Sequence, residues 1–271
     1  MPRLNVSGAS LYYETLGEPD SPALLLLHAG IATLRMWDPQ VAALAEQHFV
    51  IRFDARGFGQ TTTENVEFSD RADALALLDH LGVARATLIG SSRGGTIALD
   101  IAVESPERVA GLVTIGAGPS GFPATELTAR EEALLDKLNA ARAAREWPRL
   151  ARLEVALWAV GPTRKQAEVD PAFLALAQEL NMRNVIHGAE SLVSIPLEPS
   201  ALNRLGDIEV PALATVGELD VSTALAQYQL LLEALSGATG HVFPGAAHLP
   251  SVEHPLEFQR VLMKWLTANT L

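Results

Sequence analysis

The chain reads as an α/β fold, a mostly parallel central sheet flanked by helices, with a helical segment inserted. Three observations predict it. Short runs rich in Leu, Val and Ile recur along the 271 residues, helix-like stretches separate most of them, and this alternation breaks once, between residues 119 and 204. Parallel neighbours need a crossover of a dozen or more residues, which a helix supplies, so the alternation is the mark of a parallel sheet.

The strand candidates are residues 11–14, 23–28, 49–53, 86–89, 109–115, 213–217 and 241–243. Residues 72–81 carry a helix that Gly82 stops, because glycine enters the left-handed conformation at a helix end without a Cβ clash. A second helix spans 96–105. Ser222 or Thr223 opens another through Leu235, with Gly237 just beyond, and Pro255 leads into a last one over 256–266. Within the insertion, Thr128 and Glu131 form a capping box. Pro148 opens a second inserted helix that Gly161 closes. Asp170 and Pro171 open a third, ending near Gly188, with Phe173, Leu174, Ala177, Leu180, Val185 and Ile186 along one broad face. The expected division is a core of residues 1–118 and 205–271, and a helical subdomain of residues 119–204.

Composition narrows the function. At 48% hydrophobic and 19% charged, the chain can bury a sizeable core in one domain plus an insertion. A net charge of −12 without a long basic cluster argues against nucleic acid as a partner. There is no cysteine, which removes disulfides and thiolate metal sites and suits a reducing compartment. The first twenty residues lack a basic region followed by an apolar run, and no stretch approaches membrane-spanning length. A cytoplasmic protein without membrane attachment, monomer or homodimer, is the expectation.

The chemistry is written in Gly90-Ser91-Ser92-Arg93-Gly94-Gly95, which lies between the 86–89 strand and the 96–105 helix. A Gly-x-Ser-x-Gly at a strand-to-helix turn puts the serine hydroxyl at the tip of a tight turn, with neighbours too small to obstruct a substrate. A serine at its free pKa is a poor nucleophile and needs a base, which needs an orienting acid. After such a turn the partners are expected in the order acid, then histidine. Asp220 follows the 213–217 strand and His248 follows the 241–243 strand, so each lies past the carboxyl end of a strand, where open α/β sheets assemble their sites. The reading is Ser92 nucleophile, Asp220 acid, His248 base. Glu218 and Asp207 are rival acids. His241, inside a strand, and His254, at a helix start, are rival histidines that read as structural.

These residues, together with Leu24-Leu25-Leu26-Leu27-His28-Ala29-Gly30 and Phe53-Asp54-Ala55-Arg56-Gly57-Phe58-Gly59, resemble the α/β-hydrolase superfamily over nearly the whole chain. Within it the chain is most similar to bacterial carboxylesterases and the 3-oxoadipate enol-lactonase group, through Met36-Trp37-Asp38-Pro39-Gln40 and Gly217-Glu218-Leu219-Asp220. The resemblance implies an oxyanion hole made by the backbone N–H groups of Gly30 and Arg93, with Ala29 standing where the family usually has glycine. It implies that the 119–204 helices form a cap over Ser92. It implies hydrolysis of a small carboxylic ester or lactone with no metal or organic cofactor. A cofactor-free haloperoxidase, a C–C bond hydrolase, a hydroxynitrile lyase and a non-catalytic ligand receptor share the same framework, because fold and triad do not fix the reaction.

His28 reads as a histidine bracing its loop, and Asp54, Arg56, Gly57 and Gly59 as a braced turn. Met36, Trp37, Phe122, Trp158, Met182 and Leu249 are candidate lining for a mostly apolar pocket. Arg183 is a candidate partner for a substrate carboxylate, set against an ordinary solvated arginine.

Overall fold

The computed structural model describes residues 2–271. Its strands are β1 (Arg3–Val6), β2 (Ala9–Leu16), β3 (Ala23–Leu27), β4 (Phe49–Phe53), β5 (Thr62–Thr63), β6 (Glu67–Phe68), β7 (Ala86–Ser91), β8 (Val109–Ile115), β9 (Val193–Ser194), β10 (Ala212–Gly217) and β11 (Thr239–Phe243). Its helices are α1 (Asp38–Leu44), α2 (Asp70–His80), α3 (Arg93–Glu104), α4 (Ala129–Ala143), α5 (Trp147–Glu154), α6 (Pro171–Met182), α7 (Ser222–Ala234), α8 (Pro250–Glu253) and α9 (Pro255–Ala268).

The main sheet runs β1-β2-β4-β3-β7-β8-β10-β11, with β5 paired to β2 off this path. From β4 to β11 every pairing is parallel, while β2 is antiparallel to both β1 and β4. All five residues of β3 are buried, as a strand covered on both faces requires. Side chains alternate across a strand. Leu25 and Leu27 therefore join Ile51, Phe53 and Leu88 on one face, where α2, α3 and α7 contribute Leu77, Ile101 and Leu231. Leu24 and Leu26 join Val50, Ile89 and Val113 on the other, under Leu44 of α1 and Phe258, Leu262 and Trp265 of α9.

Each of the seven expected strands is present, within a residue or two at each end. The short strand β1 and the helix α1 carried no legible signal; α1 spans only seven residues and has Pro39 in its first turn. In the insertion, α4 starts at the Thr128 capping box as expected. The second helix is not uniform: α5 passes at Val155 into a widened π-type turn through Val160, which Gly161 ends at φ 87°. The third stops at Met182, short of Gly188, and a tight turn over Val185–His187 follows. Ile186 is 75% exposed, so it does not share the packed face of Phe173, Ala177 and Leu180.

Asp54 accepts the N–H groups of Leu34 and Gln60, each at 2.8 Å, bracing the turn after β4. No helix among the described residues is long and apolar enough to cross a membrane.

Candidate active site

Strand β7 ends at Ser91 and α3 begins at Arg93, leaving Ser92 alone to make the turn. Its backbone has φ 51° and ψ −119°, a left-handed conformation that costs a non-glycine residue about 1–3 kcal/mol. The turn is held from both sides: Ser92 N–H donates to Ile115 O at 2.8 Å, and Ser92 O accepts from Gly95 at 2.8 Å and Thr96 at 3.0 Å. The flanking glycines are needed for the close crossing of strand and helix. A Cβ at Gly90 would come within 2.3 Å of Gly94 O, and one at Gly94 within 2.3 Å of Leu27 O.

Asp220 lies three residues beyond β10 and His248 five beyond β11, at the same edge of the sheet. His248 Nδ1 is 2.8 and 3.0 Å from the two carboxylate oxygens of Asp220, and both side chains are buried. Asp220 Oδ1 also accepts Val221 N–H at 2.7 Å, which fixes the carboxylate. An ionised carboxylate only accepts, so Nδ1 carries the proton and Nε2 of the neutral ring presents a lone pair. Nε2 is buried and finds no hydrogen-bond partner among the described residues. His248 and Ser92 line the same cavity of about 190 Å³, whose other walls include Thr96, Trp158, Thr223 and Gln227.

The rivals lie elsewhere. Glu218 is exposed and accepts Gly245 N–H, Asp207 pairs with Arg204, and His241 faces Glu257. His254 stands at the position just before α9 without a side-chain capping bond.

Two features hold His248 from behind. Its backbone N–H donates to Trp158 O at 3.1 Å, and the Trp158 ring lies 4.6 Å from the imidazole at a 40° tilt. Trp158 comes from the π-type turn, a widening of the helix often found at functional sites. Gly116, at φ 55°, packs against the pair so closely that a Cβ there would lie 2.9 Å from Asp220 Oδ2 and 3.0 Å from His248 Nδ1.

Gly30 and Arg93 are neighbours: a Cβ on Gly30 would stand 3.9 Å from Arg93 Cβ. Among the described residues neither backbone N–H donates to a protein carbonyl. Ala29 lies outside the left-handed region, so its loop has a conformation alanine tolerates. The loop is pinned by His28, whose Nδ1–H donates to Ala29 O at 2.9 Å while Nε2 accepts Ala55 N–H at 3.0 Å. Burial lowers the His28 pKa from 6.5 to about 4, so this ring stays neutral and bridges two loops. The Arg93 side chain turns away to Asp70 at 2.5 Å.

The expected apolar lining is corrected at several positions. Met36, Trp37 and Leu249 are fully buried core residues beneath the sheet edge. Met182 is 39% exposed on α6, and Phe122 is half-buried and lines neither the Ser92 cavity nor the larger one beside Gly30. Of the six, Trp158 alone lines the cavity of Ser92. Arg183 is exposed and paired with Glu179. Sequence reading missed Gln227 and Thr223, polar residues of α7 with no pattern to distinguish them from a solvated face.

Residues 22–255 match the family model described as the alpha/beta hydrolase fold. The chain belongs to that family. It is 33% identical over 264 residues to a protein of Variovorax paradoxus (strain S110) that bears the name carbamate hydrolase RutD, covering 94% of this chain and 96% of that one. It is 27% identical over 270 residues to 3-oxoadipate enol-lactonase 2 of Acinetobacter baylyi, covering 96% and 94%. The enol-lactonase structure from Burkholderia xenovorans LB400 superposes with a TM-score of 0.77 over 98% of this chain and 100% of that one; at 24% identity, this likeness speaks for the fold.

Proposed function

We propose that this member of the family is a serine hydrolase that cleaves a small carboxylic ester or lactone through an acyl-enzyme on Ser92. The hydrolysis of ester bonds agrees with the lactonase and esterase relatives. The observation that carries the mechanism is the buried, unpartnered Nε2 of His248, on a ring oriented by Asp220 that lines the same cavity as Ser92.

In this reading His248 takes the Ser92 proton as the hydroxyl attacks the carbonyl carbon. The developing oxyanion is held by the N–H groups of Gly30 and Arg93, each worth about 3 kcal/mol in the transition state. His248 then gives its proton to the leaving alkoxide, and water activated by the same ring releases the acid. Asp220 keeps the proton on Nδ1 throughout. Residues 119–204 act as a cap, because Trp158 from this segment walls the cavity and contacts the base; excluding water there strengthens the electrostatics at the nucleophile. Chemistry on this route draws on no cofactor.

The test is hydrolysis of short-chain p-nitrophenyl esters by the wild type and Ser92→Ala. Activity in the wild type with loss of essentially all of it in the variant is expected. Equal, feeble rates in both would remove Ser92 as nucleophile.

A further inference from the structure

A second cavity, of about 280 Å³, has Gly30 in its wall, the neighbour of Arg93 in the wall of the Ser92 chamber. At roughly 30 Å³ per water-sized group, it has room for about nine non-hydrogen atoms. Its other walls come mostly from the inserted segment and mix apolar with polar groups: Trp147, Leu150 and Ala151 stand beside Glu154, Asn181 and Arg142. An alkyl chain would fit the apolar part of this wall and leave Glu154 and Asn181 unanswered.

On the serine-hydrolase reading, on which this inference rests, the two cavities divide the substrate. The leaving oxygen must come within reach of the base that protonates it. The alcohol side therefore belongs in the chamber lined by His248 and Trp158, and the acyl side extends past Gly30. We propose that the acyl group occupies this second cavity and carries at its far end a hydrogen-bond-donating or cationic group, an amine or amide, held by Glu154 and Asn181.

Both wall residues present acceptors. Asn181 is 3% exposed; its Nδ2 donates to Ala151 O at 3.1 Å and to Glu154 Oε2 at 2.9 Å, which leaves Oδ1 without a partner among the described residues. Glu154 is 19% exposed and its remaining contact is Arg142 at 3.5 Å, the far limit of a hydrogen bond. The Arg142 side chain is 58% exposed, so its charge is largely screened by solvent. Burial raises the Glu154 carboxyl above its ordinary range despite the Asn181 bond and Arg142, a sign of incompletely compensated charge. A donor or cation on the substrate would supply the missing partner. The other titratable side chain of the wall, His187, is engaged by Glu190 and by Gly59 O. Arg183 stands outside, paired with Glu179.

The experiment compares three p-nitrophenyl esters of matched length: 6-aminohexanoate, heptanoate and the half-ester of heptanedioate. The wild type should prefer the amino ester to heptanoate by about tenfold in kcat/KM, mainly through KM, with the carboxylate ester poorest. Glu154→Gln should bring the amino ester and heptanoate to near parity. The wild-type ranking holds whether or not the variant folds. Heptanoate cleaved as well as the amino ester, or an amino preference unchanged in a folded Glu154→Gln, would overturn the inference. So would a preference for the carboxylate ester that Arg142→Gln abolishes. Failure of all three esters to exceed the Ser92→Ala background would instead overturn the acyl-enzyme reading beneath it.

Discussion

His28 gives this protein a specific acid sensitivity. In the unfolded chain its imidazole takes a proton below about pH 6.5. In the folded protein, burial between β3 and the β4 turn delays protonation to about pH 4. Between these values the unfolded state binds more protons than the folded one, so stability falls as pH falls. The contribution is fully present above pH 6.5 and fully lost below pH 4, and the displacement from 6.5 to about 4 amounts to roughly 3 kcal/mol. The structural reason is definite: Nε2 already accepts Ala55 N–H, and a proton placed there would set two donors against each other. His28→Gln keeps a donor and an acceptor on a side chain that does not titrate. Urea unfolding of both proteins from pH 7.5 to pH 4 isolates the term, since other ionisable groups are common to both. The wild type should be the more stable at pH 7.5, and the gap should narrow by roughly 3 kcal/mol towards pH 4. A gap that stays constant with pH would refute the reasoning.

Asp220→Asn should lower kcat for p-nitrophenyl esters by about 10³–10⁴, with the thermal midpoint nearly unchanged, because the amide no longer selects the Nδ1 proton; a loss below tenfold would count against Asp220 as the orienting acid. Gly116→Ala forces a Cβ against Asp220 and His248 at a left-handed φ. It should cost about 1–3 kcal/mol in urea unfolding and reduce kcat well beyond any effect on KM.

The fold was legible because its evidence is periodic. The buried runs of β3, β4 and β8 read as strands without context, and the Ser92 turn carried its glycines in sequence. Asp220 and His248 were placed by their position after strands, and the structure sets them in contact. What stayed hidden depends on three-dimensional packing. Met36, Trp37 and Leu249 are apolar and flank motifs, yet the helices under the sheet edge claim them for the core. Glu154 and Asn181 look like ordinary polar helix positions, and only the meeting of α5 with α6 turns them into the wall of a cavity. The π-type turn that aims Trp158 at His248 is equally invisible, since a run such as Val155–Val160 reads as plain helix.

The backbone bond from His248 to Trp158 means that this histidine is moored to a residue 90 positions away along the chain and outside the sheet. Stability is not uniform within a protein, and peripheral helices open more readily than a central parallel sheet. Warming or limited proteolysis that loosens the inserted segment would slacken the mooring while the sheet persists. Catalytic activity would then be a more sensitive gauge of intactness than circular dichroism, with inactivation preceding the melting of the bulk of the molecule.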